Sequence, residues 1–101
     1  VDDNPNNNII PQSELLISNY PNPFNSSTLI VFTIPYDLTN ENTELKIFDV
    51  QGSLVATLVD QEMEAGYHSV NWNAGSLASG VYLYRFSSGS YVSTKKLILM
   101  K

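Results

Sequence analysis

Few side chains in this sequence could take part in acid-base or nucleophilic chemistry. The 101 residues include one histidine, His68, and no cysteine. Catalysis needs a nucleophile with a base in reach, a pair of carboxylates or a set of metal ligands. No serine lies in the setting of a nucleophile elbow, and His68 alternates with Val70 and Trp72 on one side of an extended segment. This pattern is typical of a packed structural histidine, so the sequence predicts a protein without catalytic activity.

Oxygen ligands suited to a hard cation are present, but without the spacing of a known site. The acidic residues in or beside polar loops are Asp2, Asp3, Asp37, Glu41 and Glu44. None of them forms the Asp-x-Asp-x-Asp-Gly pattern of a calcium loop. The sequence therefore predicts no metal site and no cofactor. It leaves open a Ca²⁺ ion held between loops that are distant along the chain.

The charge balance argues against two classes of partner. Ten acidic residues face five basic ones, which gives a formal net charge of −5. This sign disfavours attraction to nucleic acid or to anionic lipid. No run approaches the roughly 20 apolar residues that a membrane-spanning helix needs, so we expect no insertion into a membrane. We expect a monomer, and Val1 in place of an initiator methionine fits a segment of a longer protein.

The chain divides into a short polar segment and one domain. Residues 1–13 begin with an Asn-rich, Pro-containing stretch that cannot bury enough apolar surface to fold, which predicts a linker. Residues 14–101 alternate between short apolar runs and turn-forming residues, which predicts an all-β domain. The predicted strands are a first run from Leu15, and then residues 28–34, 43–50, 53–59, 67–73, 81–86 and 91–100. Seven short strands with turns between them indicate an antiparallel β-sandwich.

Local patterns refine this prediction. Gln51-Gly52 joins two extended runs and predicts a hairpin turn, since glycine readily adopts positive φ. Residues 61–64 are good helix formers and allow one helical turn, which Gly66 would end. The residues expected to be enclosed between the sheets are Val31 or its strand neighbours, Ile47, Val70, Trp72, Tyr82 and Tyr84.

Five motifs follow one another in the folded part of the chain. They are Tyr20–Asn25, Phe48–Gly52, Ala65–Trp72, Leu77–Tyr82 and Lys95–Leu97. Each motif is weak alone, but in this order they resemble the type A C-terminal sorting domain of proteins carried by the type IX secretion system. The resemblance covers Tyr20 to Lys101. Ser26 departs from it, because many members carry a further proline there.

The resemblance implies a seven-stranded immunoglobulin-like domain attached to an N-terminal passenger in Bacteroidetes-type bacteria. The outer-membrane translocon would recognise the domain, and a sortase-like peptidase would remove it. The passenger would cross the periplasm and outer membrane and be secreted or held at the cell surface. The positions that carry the family's marked residues, and so the predicted translocon and sortase recognition, are Gly66, Gly80, Tyr82, Lys96 and Lys101.

Two other functions remain open at this stage. Tyr36, Tyr67 and Tyr91 are expected to be exposed, and exposed aromatic rings can stack on sugars. A carbohydrate-binding accessory module of a secreted enzyme is therefore one alternative. A passive immunoglobulin-like spacer is the other, since fold alone does not define function.

Overall fold

Short segments of alternating apolar and polar residues form seven β-strands in the computed structural model, which describes residues 16–101. The strands are β1 (Leu16–Tyr20), β2 (Ser27–Ile34), β3 (Asn42–Asp49), β4 (Leu54–Glu62), β5 (Gly66–Asn73), β6 (Gly80–Ser88) and β7 (Tyr91–Leu99). The prediction of an all-β fold is confirmed. The predicted linker, residues 1–13, and the predicted start of the first strand at Leu15 lie outside the described residues.

The strands form two antiparallel sheets that pack as a sandwich. One sheet has the order β1-β2-β5 and the other has the order β4-β3-β6-β7. These orders match an immunoglobulin-like sandwich in which the fourth strand pairs with the third strand rather than with the fifth. All strand pairs within the two sheets are antiparallel.

The core is aromatic where the two sheets face each other. The buried apolar residues are Ile17, Phe24, Ile30, Phe32, Ile34, Leu45, Ile47, Trp72, Ala74, Tyr82, Tyr84, Phe86, Leu97 and Leu99. The Trp72 ring lies 5.9 Å from the Tyr82 ring, and the Phe32 ring lies 4.9 Å from the Phe86 ring. The predicted core is therefore confirmed for Trp72 and Tyr82, and likewise for Ile47 and Tyr84. Val70 is half-buried, and the neighbours of Val31, rather than Val31 itself, point inward.

The loop regions differ from the prediction in two places. The helical turn considered before Gly66 is wrong, because β4 continues to Glu62 and pairs there with Asn42. Pairing with β3 provides partners for the backbone hydrogen-bonding groups of β4 up to Glu62. A single helical turn would instead order several residues in return for only one hydrogen bond. A short 3₁₀ turn at Tyr36–Leu38, in the loop after β2, is an element that the sequence did not indicate. No α-helix occurs in residues 16–101.

The segment between β1 and β2 covers part of the free edge of β7. The Phe24 N–H donates to the Ile98 carbonyl (2.9 Å), and the Met100 N–H donates to the Phe24 carbonyl (2.8 Å). The Asn22 side chain continues this pairing, because its Nδ2 donates to the Lys96 carbonyl and its Oδ1 accepts the Ile98 N–H. The edge of β7 is thus occupied from Lys96 to Met100.

Tyr82 forms a tyrosine corner at the start of β6. Its hydroxyl donates to the carbonyl oxygen of Ala78, four residues upstream, at 2.7 Å. Immunoglobulin-like domains commonly use such a bond to fix the chain that enters this strand. The bond therefore ties the β5–β6 loop, which runs up to Gly80, to the core.

The hydroxyl of Tyr84 differs from that of Tyr82 in its hydrogen bonding. The residue is fully buried, and among the described residues no group lies within hydrogen-bonding distance of its hydroxyl. Burial disfavours the charged phenolate and raises the pKa of Tyr84 from 10.0 to about 12. A buried hydroxyl without a partner lowers stability, because it loses its bonds to water and gains none in return.

We expect Tyr82→Phe to lower the free energy of unfolding by about 1 kcal/mol, because it removes one partly buried hydrogen bond and keeps the ring. Urea denaturation followed by tryptophan fluorescence measures this change. Tyr36→Phe is the matched control, since that tyrosine is 71% exposed. An equal loss in both variants would contradict the structural role of the Tyr82 hydroxyl.

We expect Tyr84→Phe to keep or raise the stability at neutral pH. The pH dependence has a defined sign, because the Tyr84 pKa is higher in the folded state than in the unfolded state. Its contribution is complete below pH 10 and is lost as the pH rises through about 12. Stability of the unmodified protein should therefore fall more steeply over this interval than stability of Tyr84→Phe. Parallel curves for the two proteins would refute the assignment.

Candidate functional site

The sandwich has two ends, and the predicted recognition residues divide between them. At the end that we call the N-terminal end, β1 begins at Leu16 and β5 begins at Gly66, while β7 begins at Tyr91. At the opposite end, which we call the C-terminal end, β6 begins at Gly80 and the sequence finishes at Lys101. Leu16, where the described chain begins, therefore lies at the end opposite Gly80.

Gly80, Tyr82 and Lys101 come together at the C-terminal end. Gly80 pairs with Leu99, and the Lys101 N–H donates to the Ser79 hydroxyl at 3.0 Å. A shallow depression of about 280 Å³ lies beside them. Its lining consists of one turn and the start of β6, namely Asp49, Val50, Gln51, Ser79, Gly80, Val81 and Tyr82.

The β3–β4 turn on one side of this depression is held by one carboxylate and by two backbone hydrogen bonds between Asp49 and residues 52 and 53. Asp49 Oδ1 accepts the N–H groups of Gln51 and Ser53, each at 2.9 Å. Gly52 has a φ of 90°, so the predicted hairpin turn at Gln51-Gly52 is confirmed. Because the carboxylate is engaged with its own turn, the turn presents the side chain of Val50 to solvent.

Tyr82 contributes to this end mainly through its position in the core. The residue is only 8% exposed, and its hydroxyl is bonded to Ala78. A partner that docks at the C-terminal end would thus contact the loop that Tyr82 orders, together with the exposed residues Gly80 and Val81.

Lys96 lies on the outer face of the four-stranded sheet, away from the core. It is opposite Leu83 on β6, and Leu83 is opposite Phe48 on β3. Its side chain is exposed, while its carbonyl accepts the Asn22 amide. Lys96 therefore shares a sheet with Gly80 but stands some residues away from the depression.

Gly66 is separated from the other four predicted residues. It begins β5 at the N-terminal end, where it pairs with Ile34. Its φ is 126°, and a Cβ there would meet no atom within 4 Å. The backbone conformation, rather than crowding, therefore favours glycine at this position.

Lys95 makes a contact that the sequence did not indicate. Its Nζ donates to the Ile17 carbonyl at 2.8 Å, so it links β7 to β1 across the two sheets. The alternation of side chains along β7 could have indicated this contact, because Lys95 lies on the same side of the strand as the buried Leu97 and Leu99. A lysine on the apolar side of a strand indicates a partner that is reached by a long side chain.

His68 is packed, as its alternation with Trp72 predicted. Its ring stacks on Phe32 with centroids 5.5 Å apart, and its Nε2 donates to the Glu64 carbonyl at 2.8 Å. In the part of the chain that the structure describes, no three His, Asp or Glu side chains are grouped so that they could hold a metal ion. Within the same residues no helix is long and apolar enough to cross a membrane.

The three tyrosines expected to be exposed do not form one surface. Tyr67 and Tyr91 line a groove of about 480 Å³ at the N-terminal end, together with Leu16 and Lys95. Tyr36 is exposed but is not part of the groove lining. The prediction was wrong for Tyr91, which is half-buried because it packs against the core.

Comparison with known families places most of the domain. Residues 18–100 match the family model described as the secretion system C-terminal sorting domain. No curated protein and no solved structure matches the chain. The matched range begins within β1 and ends just after β7, so it includes both sheets. The chain therefore belongs to the family of C-terminal sorting domains of the type IX secretion system.

Proposed function

We propose that this domain acts as a non-catalytic sorting signal, which the outer-membrane translocon recognises and a sortase-like peptidase then removes from its passenger. Membership of the family implies export to the cell surface or secretion, contact with the type IX machinery and a passenger on the N-terminal side. The observation that carries the proposal is the family match over residues 18–100.

The arrangement of the two ends supports this function. A passenger joined ahead of β1 connects at the N-terminal end, where Leu16 begins the described chain. Gly80, Tyr82 and Lys101 lie at the opposite end, away from the point at which the described chain begins. We propose that the machinery contacts this end and that Lys96, on the adjoining sheet face, takes part in the contact. Gly66 would act indirectly, through the backbone conformation that it allows at the N-terminal end.

The absence of a catalytic role fits the surroundings of His68. Its ring lies against Phe32 and its Nε2 is bonded to a backbone carbonyl, which leaves it poorly placed to take a proton from a substrate. The domain would thus act through shape and surface alone.

We expect a passenger fused ahead of residue 1 to reach the cell surface in a host that possesses the type IX system. Removal of residues 97–101 should leave the passenger in the periplasm, as measured by surface proteolysis and cell fractionation. Leu97 and Leu99 are buried, so this deletion also removes part of the core. The thermal stability of the truncated domain must therefore be measured in parallel.

Single substitutions separate recognition from folding. Lys101→Ala and Lys96→Ala change exposed side chains, and such changes usually alter stability by no more than about 0.5 kcal/mol. We expect both to reduce export of the fused passenger without lowering the melting temperature. Equal export in a host that lacks the translocon would refute the sorting role.

We expect the purified chain to show no hydrolytic or transferase turnover across a panel of ester, peptide and glycoside substrates. His68→Ala is the matched variant, since His68 is the single histidine of the sequence. Turnover that survives purification and disappears in His68→Ala would overturn the non-catalytic assignment and identify His68 as a general base.

One observation favours a second function, namely the groove that Tyr67 and Tyr91 share. Two tyrosines beside a groove of about 480 Å³ offer rings on which a sugar could stack. Retention of the domain on insoluble polysaccharide, lost in Tyr67→Ala, would favour a carbohydrate-binding module. Normal export by Tyr67→Ala would show that the two functions use different surfaces.

A further inference from the structure

The outer face of the four-stranded sheet is unusually apolar near the C-terminal end. An antiparallel sheet with one solvated face normally places polar residues there. Here Phe48 lies opposite both Leu54 and Leu83, and Val81 lies opposite Ile98, while Val50 lines the same depression as Val81. Val50 is 68% exposed and Leu54 is 56% exposed. We call these six residues the apolar face.

The outer face of the other sheet is interrupted by polar residues at its centre. The centre of its outer face carries Ser18, Ser69 and Asn71, with the half-buried Val31 between the two serines. Its exposed apolar and aromatic side chains lie toward the two ends, at Leu16, Tyr20 and Tyr67, and Leu29 is half-buried. A contiguous apolar surface indicates an interaction site, because scattered apolar residues are normal but clustered ones are not.

Cations border the apolar face. The sequence has five basic residues in a chain of net charge −5, and three of them, Lys46, Arg85 and Lys96, point outward from this sheet. Lys46 and Arg85 are register partners. The Arg85 guanidinium also lies over the Phe48 ring, with its Cζ 5.4 Å from the ring centroid, which holds the charge beside the apolar surface.

All but one of the carboxylates on the same sheet lie in the half nearer the N-terminal end. Glu44 pairs in register with Asp60, and Glu44 also contacts the Lys46 ammonium at 3.2 Å. Toward the C-terminal end the remaining carboxylate is Asp49, whose Oδ1 is bonded to its own turn. The half that contains the apolar face is therefore locally basic in an acidic protein.

We propose that the apolar face docks on a protein of the export machinery whose contact surface is apolar and bordered by Asp and Glu side chains. Apolar contact supplies affinity, and the complementary charges supply orientation and a faster approach. The inference rests on the proposed sorting function, and it adds the location and chemistry of the contact. Two residues predicted from the motifs lie near this face: Lys96 is beside it, and Gly80 is at its edge.

The test uses the full chain fused to a passenger in a host with the type IX system. A photo-reactive amino acid replaces Val81 or Leu54 on the apolar face, or Tyr20 or Tyr67 on the other sheet. We expect crosslinks to one component of the machinery from positions 81 and 54, and none from positions 20 and 67. The crosslinked peptide of that component should contain apolar residues together with Asp or Glu.

Paired variants test whether the contact is needed. Arg85→Gln with Lys96→Gln removes two positive charges from the face. Ser69→Glu with Asn71→Glu makes the same change in net charge on the other sheet. We expect the first pair to lower the amount of passenger at the surface at least about tenfold, because the docked complex loses both charge contacts that orient it. The second pair should change it less than about twofold, and both should keep the melting temperature of the parent.

Each outcome has one meaning. Failure of the unmodified fusion to be exported would refute the sorting function itself. If the unmodified fusion is exported and the Arg85→Gln/Lys96→Gln variant is exported normally, docking through this face is refuted, while the sorting function is not. Crosslinks from position 81 to a second copy of the chain, or binding of the domain to phosphatidylglycerol vesicles that is lost in the same double variant, would also overturn the proposal.

Discussion

The burial of Phe24 against β7 is the constraint on which the rest of the domain depends. Its backbone pairs with Ile98 and Met100, and its ring lies 5.8 Å from Trp72. Trp72 in turn contacts Tyr82, whose hydroxyl fixes the loop before Gly80. One residue between β1 and β2 thus connects the first sheet to the second. It also sets the position of the end that carries three of the predicted recognition residues.

The sequence allowed the strands and most of the core to be predicted, because both depend on local periodicity. Trp72 and Tyr82 sit at period-two positions that place them inside, and Gly52 marks a turn. The continuation of β4 to Glu62 was not predictable in this way. Residues 61–64 favour a helix when taken alone, and only the partner strand decides against it.

The motifs indicated candidate recognition residues but not their arrangement in the fold. The motifs marked Gly80 and Lys101 without showing that these residues meet at one end, or that Gly66 lies at the other. The burial of Tyr82 indicates a structural role for this motif residue, because its hydroxyl is bonded to Ala78 in the loop that precedes β6. Sequence patterns report that a residue is required, whereas contacts show whether it is required for folding or for binding.

The half-covered edge of β7 has a consequence for the domain before it is exported. The run Leu97–Met100 combines aliphatic side chains, no charge and no proline, which is the composition of segments that build cross-β aggregates. Asn22 and Phe24 occupy the outward backbone groups of this run, while the open part of the strand, toward Tyr91, carries Thr94 and Lys95. Edge strands that are capped or bear lysine resist pairing with other chains. The folded domain therefore shields this apolar edge segment from pairing with other chains.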